Sequence, residues 1–517
     1  MIPNNSHPSK LDFQETPVTG FLRSVASHPH NNALFVNNRY YTYQQLWQIV
    51  IRIHQQIPPE KILQHIGIYC SEDVTTYAAI LAVNLYGAAY IPLNNKFPVS
   101  RNKNMIEQCQ LKLILTSVEN PHLRESAGGI DIVLTGDSDT PNSQLDKIDL
   151  ESADAASRIL IQQNNYRKVN QPIAYILFTS GSTGEPKGVP VSHINVNHFF
   201  YFFTENYDFN SDDKFLQAFE LTFDLSVFSF FMPLMVGACC YVLPSDGIKF
   251  MKTIEYLQKY NITVLSVVPT FLNYIENYLS EISLPDLRYS FFMGDALYHQ
   301  LAVKWSQSIP NAEIHNFYGP TETTIDCTRY IFDEKKSAVE SVNGIVPLGK
   351  VFEEMEVLIV GENNIPIDKG ELCLSGKQVI KAYLNNRNED KFFVHQNKRY
   401  YKTGDIVSIN AFGNLIFYGR TDSQVKINGY RIELAEIENA VSSIVNAKCV
   451  AVCKMGANNM NKIVVFIEKK QIDEDQLKEI LCGVLPDYMI PQKFITTEKF
   501  VLNINEKVDK QNLLNNN

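Results

Sequence analysis

Three stretches of the chain set reactive side chains at short, fixed spacings. The first, YILFTSGSTGEPKGVPVSH from Tyr175 to His193, is an apolar run that breaks into small and hydroxylated residues, then presents a lone lysine between Pro186 and Gly188. Tyr175 to Phe178 reads as a buried strand, and Thr179, Ser180, Gly181, Ser182, Thr183 and Gly184 read as the tight loop leaving it. Such a loop turns backbone N–H groups and hydroxyls toward an anion, with Lys187 as a mobile point charge. It is not the GxxxxGK[ST] phosphate loop, because Lys187 is followed by Gly188 where that pattern needs Ser or Thr. A polar surface turn is the competing reading.

The second stretch, NFYGPTETT from Asn316 to Thr324, joins an aromatic face to a hydroxyl at Thr321 and a hard carboxylate at Glu322. Mg²⁺ accepts such oxygens beside phosphate, although a turn capping a helix at Thr321 has the same residues. The third runs from Tyr400 to Glu438, YYKTGDIVSINAFGNLIFYGRTDSQVKINGYRIELAEIE. Here Asp405 sits where a carboxylate can hold two ribose hydroxyls, and Arg420 follows; a solvated network of Lys402, Asp405 and Arg431 is the alternative.

Positioning these stretches requires a layered scaffold. Apolar runs alternate with helix-like segments, as in ILQHIGIYC followed by TTYAAILAVNLYGAAYIPL, and again in KTIEYLQKYNITVLSVVPTFLNYIENYL. That alternation predicts an α/β fold with mainly parallel sheets. Near Gly419 to Asp422 a strand-rich region gives way to a fresh βαβ-like pattern opening with the helix signal ELAEIENAVSSI. A large domain at 1–421 and a small α+β domain at 422–517 are therefore expected, in line with a length of 517 residues that exceeds one ordinary core. The run from Val227 to Leu243 has no charge, but Ser229, Pro233 and Gly237 interrupt it, so it reads as a buried helix leading into a strand rather than a membrane span. The polar stretch 135–157 reads as a surface loop and the terminal asparagines as a tail.

Composition narrows the class. A hydrophobic content of 45% with 20% charged residues suits a soluble globular enzyme, and a net charge of −10 without a basic stripe argues against a nucleic-acid partner. The nine cysteines are scattered without a C-x-x-C pair, which suits reduced thiols in a cytoplasmic protein. The N-terminus lacks the apolar segment of a secretory signal.

The three stretches occur in order, with NLYGAAYIPL (84–93) before them and NINEKVDKQNL (503–513) after them. As a set they resemble the adenylate-forming superfamily, specifically amino-acid adenylation domains of the nonribosomal peptide synthetase type, from about Tyr41 to Leu513. The resemblance implies two steps: ATP and a carboxylic acid give an acyl-adenylate and pyrophosphate, then a thiol takes the acyl group. The acid is already ionised near pH 7, so the first step needs charge neutralisation rather than a general base. By motif, Thr179, Ser180, Thr183 and Lys187 would contact the phosphates within the loop formed with Gly181, Ser182 and Gly184. Asn316, Tyr318, Gly319 and Tyr418 would lie with the nucleotide, Tyr318 against adenine; Thr321 would reach phosphate and Glu322 would hold Mg²⁺. Asp405 would bind the ribose hydroxyls, Arg420 would sit by ribose and phosphate, and Lys507 would bridge the substrate carboxylate and the α-phosphate. Asp422 matches a hinge about which the small domain rotates between the steps, and Gly429 would line the thiol tunnel. Relatives carry Pro-Asn-Gly before the late lysine where this chain has Ile504, Asn505 and Glu506.

Within the resemblance, Asp224 in FDLS matches an aspartate that pairs with a substrate α-ammonium, and capping of the following helix remains compatible. The rest of the amino-acid pocket would be Leu225, Phe228, Ser266, Phe291, Met293, Gly294, Phe317, Ile325 and Asp326. Three phenylalanines and a methionine leave little volume, while Ser266 and Asp326 leave something polar to satisfy. Serine fits first, alanine or glycine next, with a basic side chain on Asp326 behind them. No carrier segment follows Lys507, so the expected partner is a separate phosphopantetheinylated carrier protein, as for D-alanine to carrier protein ligases. An acyl-CoA or aryl-CoA synthetase on the same fold, or a non-catalytic nucleotide-binding homologue, are the alternatives.

Overall fold

The structure, a computed structural model, describes residues 16–58, 63–136, 173–181, 185–386, 389–456, 461–501, 508 and 513. Most of the predicted surface loop at 135–157 lies outside those residues.

Among the described residues the strands form five sheets. One, of nine strands, has a parallel interior running Glu313–Tyr318, Tyr289–Phe292, Val264–Val267, Lys214–Gln217, Cys239–Val242 and Asn32–Val36, with antiparallel strands at its edges. Another, of six strands, is ordered Asp131–Leu134, Leu113–Thr116, His65–Cys70, Ala89–Asn94, Ile173–Thr179 and Lys187–Ser192, parallel except for the last pair. The expected alternation of strand and helix is present in both.

Two helices tie these sheets into one core. Val74–Tyr86 starts at Asp73, whose side chain accepts from the Thr76 amide at 2.8 Å, and it ends at Gly87, which takes the left-handed φ of 92°. It is apolar on nearly every face because strands and a neighbouring helix enclose it. The uncharged run noted in the sequence forms the equally buried helix Leu225–Val236, followed by strand Cys239–Val242. The rings of Tyr77 and Phe230 meet at 5.1 Å between the two helices. One apolar cluster consequently holds Ile66 and Ile68 of the six-stranded sheet together with Leu34 and Val36 of the nine-stranded one.

A third sheet, with Lys398–Ile409 and Leu415–Arg420 as adjacent antiparallel strands, closes against this core. Beyond it the chain builds a hairpin, Gln424–Ile427 with Tyr430–Glu433, and a three-stranded sheet backed by helices Leu434–Val445 and Glu474–Cys482. Ile432, Ile437, Val441, Ile463, Val465, Leu477 and Leu481 form a separate apolar cluster there. The hairpin turns on Asn428 and Gly429, at φ 53° and 81°, the pair of positive angles that favours Asn-Gly in a two-residue turn. The fold is α/β, with large layered sheets and a small, β-rich C-terminal part. No helix among the described residues is long and apolar enough to cross a membrane.

Candidate active site

The loop after Ile173–Thr179 returns as Lys187–Ser192, and Thr179 pairs in register with Lys187. Lys187 is therefore the first residue of a strand, 7% exposed, rather than the mobile charge expected from the loop alone. Pairing fixes its backbone. Burial lowers its pKa, while the nearby carboxylates of Glu433 and Glu322 act in the opposite direction. Ser182, Thr183 and Gly184 lie outside the described residues, as does Lys507.

Strand Glu313–Tyr318 delivers Tyr318 to the site and continues through Gly319-Pro320 into the turn Thr321–Thr323. The turn exits through Thr324 and Ile325, which hold φ of 60° and 70°. A β-branched residue there is strained, and Gln378 supplies the restraint. Its side-chain amide donates to the carbonyls of Thr323, Thr324 and Asp326, while Thr324 Oγ1 donates to its carbonyl at 2.6 Å. Glu322 is fully buried; one carboxylate oxygen accepts from Tyr383 Oη and the other from Arg431 Nη1 at 2.7 Å. Burial alone would raise its pKa, but the charge of Arg431 and the tyrosine bond outweigh it, and the net shift is downward.

On the third sheet, Asp405 stands opposite Arg420 in register. Arg420 Nη1 donates to Asp405 Oδ1 at 2.5 Å, and Tyr318 Oη donates to Oδ2 at 2.5 Å. Arg420 Nε and Nη2 reach Asp422 at 2.8 and 2.9 Å, so the expected ribose carboxylate and hinge aspartate share one arginine. Tyr418 departs from expectation. The ladder shifts register between Ile406 and Val407, and Phe417 lines the cavity with Asn316, Tyr318, Asp295 and Asp405. Tyr418 instead lies beneath Lys369 and bonds Ser408 on the outside of the sheet.

A neighbouring cavity joins Thr179, Ser180, Asp224, Leu225, Gly294, Tyr318, Gly319, Thr321 and Ile325. Asp224 precedes helix Leu225–Val236 without capping it through its side chain, and it accepts from Thr321 Oγ1 at 2.6 Å. Burial pushes its carboxyl up to about 6. Among the described residues Asp326, 1% exposed, has no hydrogen-bond partner on either carboxylate oxygen; burial, then the Asp224 charge, holds its pKa well above the usual range. Phe228, Phe291 and Phe317 stand behind this cavity, with Phe291 5.8 Å from Phe228 and 5.3 Å from Phe317. Ser266 pairs with Phe291 in register and Met293 directly follows that strand; both are buried, and neither is among the residues lining the cavity.

The hairpin enters the site from the small part. Gln424, Lys426, Gly429 and Arg431 line the cavity that holds Asp224. A Cβ on Gly429 would fall 2.3 Å from Val268 Cγ1, so only glycine permits this approach. Tyr430 stacks on Tyr488 at 4.0 Å and meets Phe223 edge-on at 4.6 Å. Deeper in, Arg101 on helix Val99–Gln108 donates to Glu436 at 2.8 Å, both side chains buried.

The profile of the AMP-binding enzyme family matches residues 21–384. The chain belongs to that family. Two curated relatives are each 32% identical to this AMP-forming ligase. Zwittermicin A synthase ZmaJ of Bacillus cereus aligns with 86% of the chain and 84% of its own length. The D-alanine–D-alanyl carrier protein ligase of Lactococcus lactis aligns with 92% and 93%. Among solved structures, the Vibrio cholerae adenylation domain AlmE in complex with glycyl-adenosine-5'-phosphate superposes with a TM-score of 0.82 at 28% identity, covering 99% of each chain. Other curated relatives are longer, and the chain spans 44% or less of three of them.

The ligase also uses residues that motif reading passed over. Gln378, Tyr383 and Tyr401 support Glu322 and its turn from distant segments, and no local pattern marks them. Arg431 was legible as a charge, but its pairing with Glu322, 109 positions away, was not.

Proposed function

We propose that this ligase activates a small amino acid with ATP and then passes it to the phosphopantetheine thiol of a separate carrier protein. A substrate carboxylate oxygen attacks the α-phosphorus and pyrophosphate leaves; the thiol sulfur then attacks the acyl carbon and AMP leaves. Asp224 carries the amino-acid reading: a partly buried carboxylate, set in one cavity with the phosphate-side residues Thr179, Ser180 and Thr321. A neutral acyl tail would leave that carboxylate uncompensated, whereas an α-ammonium answers it. Serine is our first choice, ahead of alanine and glycine, because a side-chain hydroxyl offers a donor toward Asp326, whose carboxyl finds no partner among the described residues. The V. cholerae glycyl complex and the D-alanine ligase agree with a small substrate.

Glu322 fits a divalent cation. It is an ionised, fully buried carboxylate whose present counter-charge comes from a movable side chain, and Mg²⁺ there would neutralise phosphate oxygens. Lys187 and Lys507 would balance the phosphate charge in the first step. We place the hinge at Asp422, between domains 1–421 and 422–517, so that the hairpin withdraws while Lys507 enters. A second cavity, reaching Thr222 from a mouth with Lys96 and Lys249 and passing Tyr430, is the proposed thiol route. The test is exchange of labelled pyrophosphate into ATP across the proteinogenic amino acids and D-alanine. Exchange with one small amino acid, absent from Asp224→Ala, supports the reading; exchange only with simple carboxylic acids refutes it.

A further inference from the structure

Among the described residues, the cations lining the cavity that holds Asp224 are Arg420, Lys426 and Arg431. Arg420 is engaged by Asp405 and Asp422, and Arg431 by Glu322. Lys426 differs: among the described residues its ammonium makes no hydrogen bond or ion pair, and it stands 5.6 Å from the centre of the Tyr318 ring. The register of the hairpin explains its position. Lys426 pairs with Arg431, and opposite residues of an antiparallel pair share a face. Gln424, Lys426, Arg431 and Glu433 therefore present one face, while Ile427 and Ile432 pack from the other into the apolar cluster of the small part. The Lys426 carbonyl accepts from Asn461 Nδ2 at 3.2 Å, which fixes the backbone beneath the side chain. Lys426 also lines the cavity of Asn316, Asp295 and Phe417, and the two cavities share Tyr318, Asp405, Arg420 and Lys426. With the amino group at Asp224 and the nucleoside at Tyr318 and Asp405, the bond between acyl group and phosphate falls between them, beside Lys426. Its charge reaches both ends: burial raises the carboxyls of Asp224, Asp295 and Asp326, and Lys426 acts against burial at each.

We propose that Lys426 is the catalytic cation of the second step, contacting the acyl oxygen and the α-phosphate as the thiol attacks. The C–S bond forms and the C–O bond to phosphate breaks; the bonding pair stays on the phosphate oxygen, and the thiol proton passes to water. Negative charge grows on the acyl oxygen during addition and on AMP as it departs. A preset cation with no other partner stabilises both. Lys507 would serve the first step in the same capacity, and Lys426 serves the second. This inference rests on the two-step reading and on the ammonium site at Asp224.

The test uses the full-length protein with pantetheine as the thiol, so that recognition of a carrier plays no part. Pyrophosphate exchange reads the first step. Single-turnover release of AMP from preformed aminoacyl-adenylate, on adding pantetheine, reads the second. Lys426→Met should slow saturated release by about 10²- to 10³-fold beyond any change in exchange, with the half-saturating pantetheine concentration moved by less than about threefold. Lys426→Arg keeps a charge and should recover about tenfold or more of that loss. Equal losses in the two steps, a raised half-saturation alone, or an arginine variant no faster than the methionine one overturns the assignment. Should Lys426→Met not fold, Lys426→Gln is judged by the same criteria. Wild-type exchange without pantetheine-dependent release of AMP overturns the thiol reading itself, and the role of Lys426 falls with it. Exchange with no amino acid at all overturns the amino-acid reading instead, and takes the assignment with it.

Discussion

Asp224→Asn should make the protein more stable and inactive at once. The wild-type carboxyl is pushed from 3.8 up to about 6 by burial, a shift of about 2 pH units, and each unit is worth about 1.36 kcal/mol. Keeping Asp224 ionised therefore costs the folded state at most about 3 kcal/mol at neutral pH. Because the folded pKa lies above the unfolded one, the folded state binds the proton more tightly. The cost is then complete well above pH 6, shrinks as pH falls through about 6, and vanishes near pH 4. Asparagine retains an acceptor for Thr321 Oγ1 and removes the charge that acts on Asp326. Chemical denaturation at pH 7.5 should show the variant more stable by about 1–3 kcal/mol, with the gap reduced to about half of that at pH 5. Amino-acid-dependent pyrophosphate exchange should disappear at both. A variant no more stable than wild type at pH 7.5, or a gap indifferent to pH, would refute the assignment of Asp224 as a charge held ready for an ammonium.

Other outcomes follow from the same geometry. Lys187→Ala should lower pyrophosphate exchange by about 10²- to 10³-fold, since a preset charge at the phosphates is lost, while leaving the strand pairing visible by circular dichroism. Gly429→Ala should separate the two half-reactions: exchange changes less than about threefold, but carrier loading falls more than tenfold, because the docked approach to Val268 is blocked. In Phe291→Ala, removal of a fully buried ring from the wall behind the cavity should cost about 3–5 kcal/mol, read as a shifted denaturation midpoint. Wild-type affinity for the amino acid should weaken about tenfold per unit below pH 6, where Asp224 takes up a proton, as measured by calorimetry.

What could be read from the sequence was what is local. The buried strand at Tyr175 to Phe178 and the helix-to-strand passage from Leu225 to Val242 each depend on neighbours within a few residues. The nucleotide loop was legible as a donor-rich turn, yet the burial of Lys187 followed only from the pairing of two strands. Tyr418 was assigned one position from the residue that faces the cavity, because a bulge on the sheet changes which side chain points inward and leaves no mark in composition. Glu322 was expected from its motif, but its partners Tyr383 and Arg431 belong to remote segments, and only the folded chain brings them together.

The wall of rings behind the cavity bears on how such an enzyme diversifies. Phe228, Phe291 and Phe317, proposed here to bound the volume offered to the substrate, are also members of the cluster that unites two sheets. A new specificity gained by hollowing that wall would be inherited together with a weaker scaffold. Leu225 and Ile325 border the cavity directly and belong to the same cluster, so redesign toward larger amino acids at either would carry the same cost.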